Sequence, residues 1–257
     1  MSQPTLEKLT NLRLEGMLQG FKEQMETPAC QGMSFEERLG LLVDRELTLR
    51  DDKRLLNRLR MAKLRLNACV EDIDFTQPRG LDKGVVMNLA SCRWIGSHDN
   101  CLIVGPTGAG KSYLACALGH RACRDGYRVL YLRFPRLLEE LAVSKVDGRY
   151  LRLLTHLSKY DLLILDDWAM IDLTAAQRRD LMEIVDDRHD RGSIVLASQL
   201  PVESWHATIG DPTYADAILD RVVHNAIRLP LKGESRRKPE TNGEINPGGD
   251  AKAEAKK

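Results

Sequence analysis

The sequence has no Cys-x-x-Cys pair, although its 257 residues include six cysteines, at 30, 69, 92, 101, 116 and 123. With no histidine cluster beside them, a zinc site of the usual spacing is excluded, and the thiols read as reduced, mostly buried small hydrophobes. An N-terminal secretory pattern is missing, as is any apolar run long enough to span a bilayer, so a soluble cytoplasmic chain is expected. Nor is there an excess of one charge. Lys and Arg number 38 against 37 Asp and Glu, a formal net charge of +1, which by itself argues nothing for nucleic acid and leaves the distribution of charge to be informative.

What is present concentrates first in Gly105, Pro106, Thr107, Gly108, Ala109, Gly110, Lys111 and Ser112, which spell G-x-x-x-x-G-K-S after the apolar stretch 101–104. In such a P-loop the glycines let backbone N–H groups curl toward phosphates, Lys111 reaches the β- and γ-phosphates, and the Ser112 hydroxyl suits Mg²⁺. The helix starting at Lys111 turns its positive dipole end toward the same anion. Nucleotide binding is the first expectation. Leu162, Leu163, Ile164 and Leu165, followed by Asp166 and Asp167, read as a buried strand delivering carboxylates at its C-terminal end. Asp166 there suits a metal bridging β- and γ-phosphates, and Asp167 suits a general base for the attacking water.

Between these motifs lies room for a further strand at 129–132, so the motif strands need not be neighbours. This excludes the shorter kinase-like arrangement and predicts the additional-strand ATPase class: an α/β core, a five-stranded parallel sheet of order 5-1-4-3-2, helices on both faces. The guanine-reading Asn/Thr-Lys-x-Asp signal is absent after the 162–166 strand, which favours ATP over GTP. Ser198 and Gln199 end a later buried strand at 193–197, where a polar side chain contacts the γ-phosphate or orients water, or simply ends a strand in a turn. Arg221, in the helix before the last strand, reads either as an arginine finger completing a neighbouring subunit's site or as a surface arginine paired with Asp216 or Asp220.

Residues 1–70 read as a small helical domain, from Leu6, Leu9, Leu12 and Leu14 and then Phe35, Leu39 and Leu42 at helical spacing. Thr27, Pro28 and Gly32 break it, and Ser34 with Glu37 forms a capping box for the next helix. Lys53, Arg54, Arg58, Arg60, Lys63 and Arg65 follow with no acid among them, interleaved with leucines. Two readings compete for this face: arginine stems covering the core, or contacts to DNA phosphates. Gln77, Pro78, Arg79 and Gly80 mark a linker, the ATPase domain occupies 71–231, and 232–257 read as a disordered polar tail.

With these residues assembled, the chain resembles AAA+ ATPases of the initiator and helicase-loader branch, and more closely the IstB-like transposition helper ATPases of bacterial insertion sequences. The more specific likeness is in Ala197-Ser198-Gln199-Leu200-Pro201 and Asp216-Ala217-Ile218-Leu219-Asp220-Arg221. The resemblance implies an ATP- and Mg²⁺-dependent oligomer that binds and remodels duplex DNA near the bacterial nucleoid and activates a partner transposase. It raises DNA contact for the basic helix and a trans role for Arg221. Asp167 stands where many AAA+ enzymes carry glutamate, and no C-terminal lid is expected. Phe75 to Leu81 is the candidate for adenine contact. A DnaC-type helicase loader is the alternative, and a nucleotide-regulated interaction protein with little hydrolysis is the third.

Overall fold

The computed structural model describes residues 3–76 and 80–233. Most of the expected linker, residues 77–79, and the tail from 234 onward lie outside the described residues. Two short helices, α1 (Gln3–Asn11) and α2 (Glu15–Glu26), precede the long α3 (Phe35–Ala62). The expected capping box is there: Glu37 N–H donates to Ser34 Oγ at 3.2 Å and Ser34 N–H to Glu37 Oε2 at 2.7 Å. Helix α2 lies tight on α3 because a Cβ at Gly16 would sit 2.6 Å from Glu46 Cα, and one at Gly20 2.9 Å from a Leu42 methyl. No side chain of its own caps α2. Instead the buried Glu46 carboxylate of α3 accepts from Gly16 N–H at 2.7 Å and Met17 N–H at 3.1 Å, filling two of the orphan donors of that helix start.

Past α4 (Lys83–Ala90) and α5 (Arg93–Gly96) comes a regular alternation: β1 (Asn100–Val104), α6 (Lys111–Arg124), β2 (Val129–Arg133), α7 (Phe134–Val146), α8 (Tyr150–Leu157) and β3 (Leu162–Trp168). It continues with α9 (Ala175–Arg188), β4 (Ser193–Ser198), α10 (Trp205–Ile209), α11 (Pro212–Val223) and β5 (Ala226–Pro230). All four pairings are parallel, and the order β2-β3-β4-β1-β5 is the expected 5-1-4-3-2. The central strands are apolar at almost every position because helices cover both faces. Alternation along each strand then assigns the faces: Cys101, Ile103 and Ile164 join α6, α4 and α5, whereas Leu102, Leu163 and Leu165 join α7, α9 and α11.

Helix α3 is shared between the two parts. Leu55, Leu59 and Ala62 of its C-terminal half belong to the α6 side of the core, and Arg58 Nε donates to Cys123 O at 2.8 Å, a cation at the carbonyl end of α6. After β5 the described chain runs only to residue 233, with no further helix. No helix among the described residues is long and apolar enough to cross a membrane. Burial pushes the Cys92 and Cys101 thiols up to about 12 and Cys123 to about 11, consistent with inert packing residues.

Candidate functional site

The C-terminal ends of β1, β3 and β4 meet where the sheet order reverses, the place where open α/β sheets form a crevice. Between β1 and α6 the loop 105–110 reaches left-handed backbone at Gly108 (φ 83°) and Gly110 (φ 98°), which glycine adopts without a Cβ clash. Gly105 serves packing instead. Leu231 N–H donates to Val104 O at 2.7 Å, and that strand extension passes so close that a Cβ on Gly105 would meet Leu231 O at 2.6 Å. Lys111, 8% exposed as a residue, donates from Nζ to Gly105 O at 2.7 Å and Pro106 O at 2.8 Å, so the ammonium folds over its own loop.

Asp166, 1% exposed, is the polar centre of the site. Its Oδ2 accepts from Ser112 Oγ at 2.6 Å and from the Tyr131 hydroxyl, and its Oδ1 from Asp167 N–H at 3.0 Å. Burial and the neighbouring Asp166 drive the Tyr131 phenol far above its ordinary value, keeping it a donor. Asp167 sits in a left-handed conformation (φ 60°) at an irregularity where β3 slips register against β4. That bulge turns its side chain from the sheet into the cleft, where Oδ2 is held by Arg133 Nε at 2.7 Å. The cleft encloses about 410 Å³ and is lined among others by Arg65, Thr107, Lys111, Arg133, Asp167 and Gln199.

The donor set fits Mg²⁺–ATP: a hydroxyl and a buried carboxylate in contact at a helix N-terminus, with an ammonium and a glycine-rich loop beside them. The structure thus brings together Lys111, Ser112, Asp166 and Asp167. It turns Ser198 away from them. That residue is fully buried, its Oγ donating to Trp168 O at 2.9 Å and accepting from Leu200 N–H at 3.1 Å. Its neighbour Gln199 faces the cleft and accepts from Thr107 Oγ1 at 2.6 Å.

Arg221 lies at the other end of the strands, where Asn100, the first residue of β1, donates to its carbonyl at 3.1 Å. Its guanidinium pairs with Asp186 of α9 at 2.7 Å and bonds Ala217 O at 2.9 Å, so the partner is neither Asp216 nor Asp220. It is remote from the P-loop of its own chain. The basic stretch also divides. The helix ends at Ala62 because Lys63 turns left-handed (φ 51°), which takes Arg65 off the helix and into the nucleotide cleft. Arg58 is spent on Cys123 O, Lys53 pairs with Glu15, and Arg54 pairs with Asp51 at 3.0 Å. The acids missing from the local sequence come from α2 and from one turn upstream. Lys53, Arg54, Arg60 and Lys63 remain exposed.

Tyr131, Arg133, the Thr107–Gln199 contact and the cleft position of Arg65 escape a reading of the sequence. The first two carry a usable signal, because the expected order sets strand 2 beside strand 3 and the register then aligns Arg133 with Asp166. Phe75 and Leu81, named for adenine, pack against the core on the α6 side.

A family model described as "IstB-like ATP binding protein" matches residues 7–243. An insertion sequence ATP-binding protein of Sinorhizobium fredii is 52% identical over 238 residues, covering 93% of this chain and 97% of that one. The ATP-binding protein of insertion sequence IS1162 from Pseudomonas fluorescens is 52% identical over 214 residues, 83% of this chain and 92% of its own. The solved structure of the DnaC helicase loader matches with a TM-score of 0.55 at 17% identity, over 66% of this chain and 100% of that one. At that identity the likeness is one of fold, and the fold is of the AAA+ type.

Proposed function

The chain belongs to the IstB-like ATP-binding family, and from that membership we propose that it is an ATP-dependent DNA-binding helper of an insertion sequence. In this reading it assembles on target DNA, remodels it and activates the partner transposase. Residues 1–70 grip DNA and residues 71–231 hydrolyse ATP. The observation that carries the nucleotide part is the Ser112–Asp166 contact of 2.6 Å beside Lys111 at the start of α6. Ser112 and Asp166 would hold Mg²⁺, and residues 105–112 the phosphates. Bound there, Mg²⁺–ATP supplies a γ-phosphate open to attack by water.

The chain's own residues do the rest. Asp167, aimed by its bulge and tethered through Oδ2 to Arg133, offers Oδ1 as the acceptor for a proton from the attacking water. Gln199 takes the polar role expected of Ser198, since it is the side chain from the end of β4 that reaches the P-loop. Arg221, unable to reach its own cleft, acts on a neighbour's, so that assembly and hydrolysis are coupled. Lys53, Arg54, Arg60 and Lys63 face DNA; the ion pairs of Lys53 and Arg54 are exposed and cheap to exchange for phosphate.

Single-turnover hydrolysis of ATP with and without duplex DNA tests the reading. DNA-stimulated turnover that disappears in Lys111→Ala is expected. Turnover equal in wild type and Lys111→Ala refutes the assigned site. Capture of a replicative helicase in place of the transposase would turn the proposal to a helicase loader.

A further inference from the structure

We propose that Arg65 is a nucleotide-contacting side chain, delivered to the phosphate end of the cleft by the segment after the basic helix, so that nucleotide occupancy holds α3 on the ATPase core. This deepens the nucleotide reading above and rests on it.

The chain reverses at Lys63, and the following residues are pinned to α6. The Leu64 side chain lies 3.0 Å from where a Cβ on Gly119 would be, and the backbone at Arg65 and Leu66 faces the Cys116 thiol. Held this way, Arg65 lines the cleft on the side of Tyr131, whose hydroxyl donates to Asp166 and whose phenol Arg65 pulls downward against the larger upward push of burial and Asp166. It lines the same cleft as Lys111, Ser112 and Arg133. Arg133 has Asp167 as counter-charge, whereas Arg65 forms no ion pair among the described residues. A planar guanidinium without a carboxylate, beside a P-loop lysine and a metal-site hydroxyl, matches a phosphate oxygen pair.

The mechanical link follows from the same contacts. Leu55, Leu59 and Ala62 bury α3 against the α6 face, and Arg58 clasps the C-terminal carbonyl of Cys123. Helix α6 therefore carries the P-loop at one end and α3 along its side. With polyphosphate in the cleft, Lys111, Arg65 and Arg133 share an anion. Without it Arg133 keeps Asp167 and Lys111 keeps the loop carbonyls, whereas the exposed Arg65 loses its anion, and it is the one of the three that lies outside the sheet and its first helix. Withdrawal of Arg65 loosens the C-terminal end of the basic helix.

The full-length protein, Arg65→Ala and Arg65→Lys are compared for binding of Mg²⁺–ATP, Mg²⁺–ADP and nucleotide-free duplex DNA by calorimetry, with hydrogen exchange over residues 55–66. Loss of a charge-assisted bond to phosphate should weaken ATP binding by Arg65→Ala about tenfold or more. ADP should suffer less, and Arg65→Lys should fall between. ATP should slow exchange over 55–66 in the wild type and leave it unchanged in Arg65→Ala. A circular dichroism spectrum and thermal unfolding midpoint matching the wild type show that the variant is folded. Unchanged ATP affinity in Arg65→Ala, with the wild type binding ATP, overturns this proposal alone. A loss confined to nucleotide-free duplex binding overturns it in favour of a DNA contact. Failure of the wild type to bind ATP removes the nucleotide reading and this proposal together.

Discussion

Glu46→Ala should release α2 from α3 without disturbing the nucleotide site. The Glu46 side chain is 8% exposed, and its carboxylate accepts from two N–H groups at the start of α2, at 2.7 and 3.1 Å, while its other oxygen pairs with Arg50 at 2.7 Å. A hydrogen bond to a charged group contributes about 1.5–3 kcal/mol. Met17 is only partly buried and Arg50 is exposed, so the two weaker contacts count for a fraction of that, and the local loss should be about 2–4 kcal/mol. Hydrogen exchange over residues 16–26 should accelerate by at least about thirtyfold, because each 1.4 kcal/mol is a factor of ten. ATP affinity should stay unchanged, since none of these groups lines the cleft. The effect should also depend on pH in one direction. Burial pushes the Glu46 carboxyl up, but Arg50 and the N–H groups of Met17 and Gly16 together hold it below the ordinary 4.5. Its contribution is thus fully present above 4.5 and is lost as pH falls through the lower folded value, so wild type and variant should converge in acid. Exchange in α2 that is unchanged by the substitution, or a difference that widens in acid, would refute the reasoning.

Two further outcomes follow from the site. Arg221→Ala should bind ATP as monomer with unchanged affinity, because its guanidinium engages Asp186 far from the P-loop, yet should lose hydrolysis and assembly on DNA; sedimentation with ATP and duplex measures this, and equal loss of monomer binding would mark the residue as structural. Replacing Lys53, Arg54 and Arg60 by glutamine should weaken duplex binding and lower its log–log salt slope by about 0.9 for each phosphate no longer neutralised, whereas an unchanged slope would leave α3 a solvated face.

Much of the core is legible in the sequence because its signals are local. A strand buried on both faces is a continuous apolar run, and a capping box needs only residues three positions apart, so β3 and the start of α3 fall where expected. Spacing between the motifs even predicts the strand order. At the end of β4, strand periodicity names Ser198 and Gln199 together without saying which of the two adjacent polar side chains meets Thr107 and which bonds Trp168. The basic helix stops short of Arg65 for a similar reason. Nothing in Lys63 announces a left-handed residue, and the Leu64 that follows it packs against α6, a partner distant in sequence.

The amino-acid sequence by itself determined that a glycine-rich loop ends in Lys111 and Ser112 after an apolar strand, and that Asp166 ends another, because both depend on residues within one element. Only the tertiary structure decided which side chains meet them. Tyr131 reaches Asp166 across a parallel register, Arg133 tethers Asp167 at a bulge, and Arg65 enters the cleft from the end of a helix whose Lys53 finds its acid on a separate element. Those partners lie far from Asp166 or Lys111 along the chain; closure of the sheet brings Tyr131 and Arg133 within hydrogen-bond reach, and docking of α3 on α6 brings Arg65 into the same cleft.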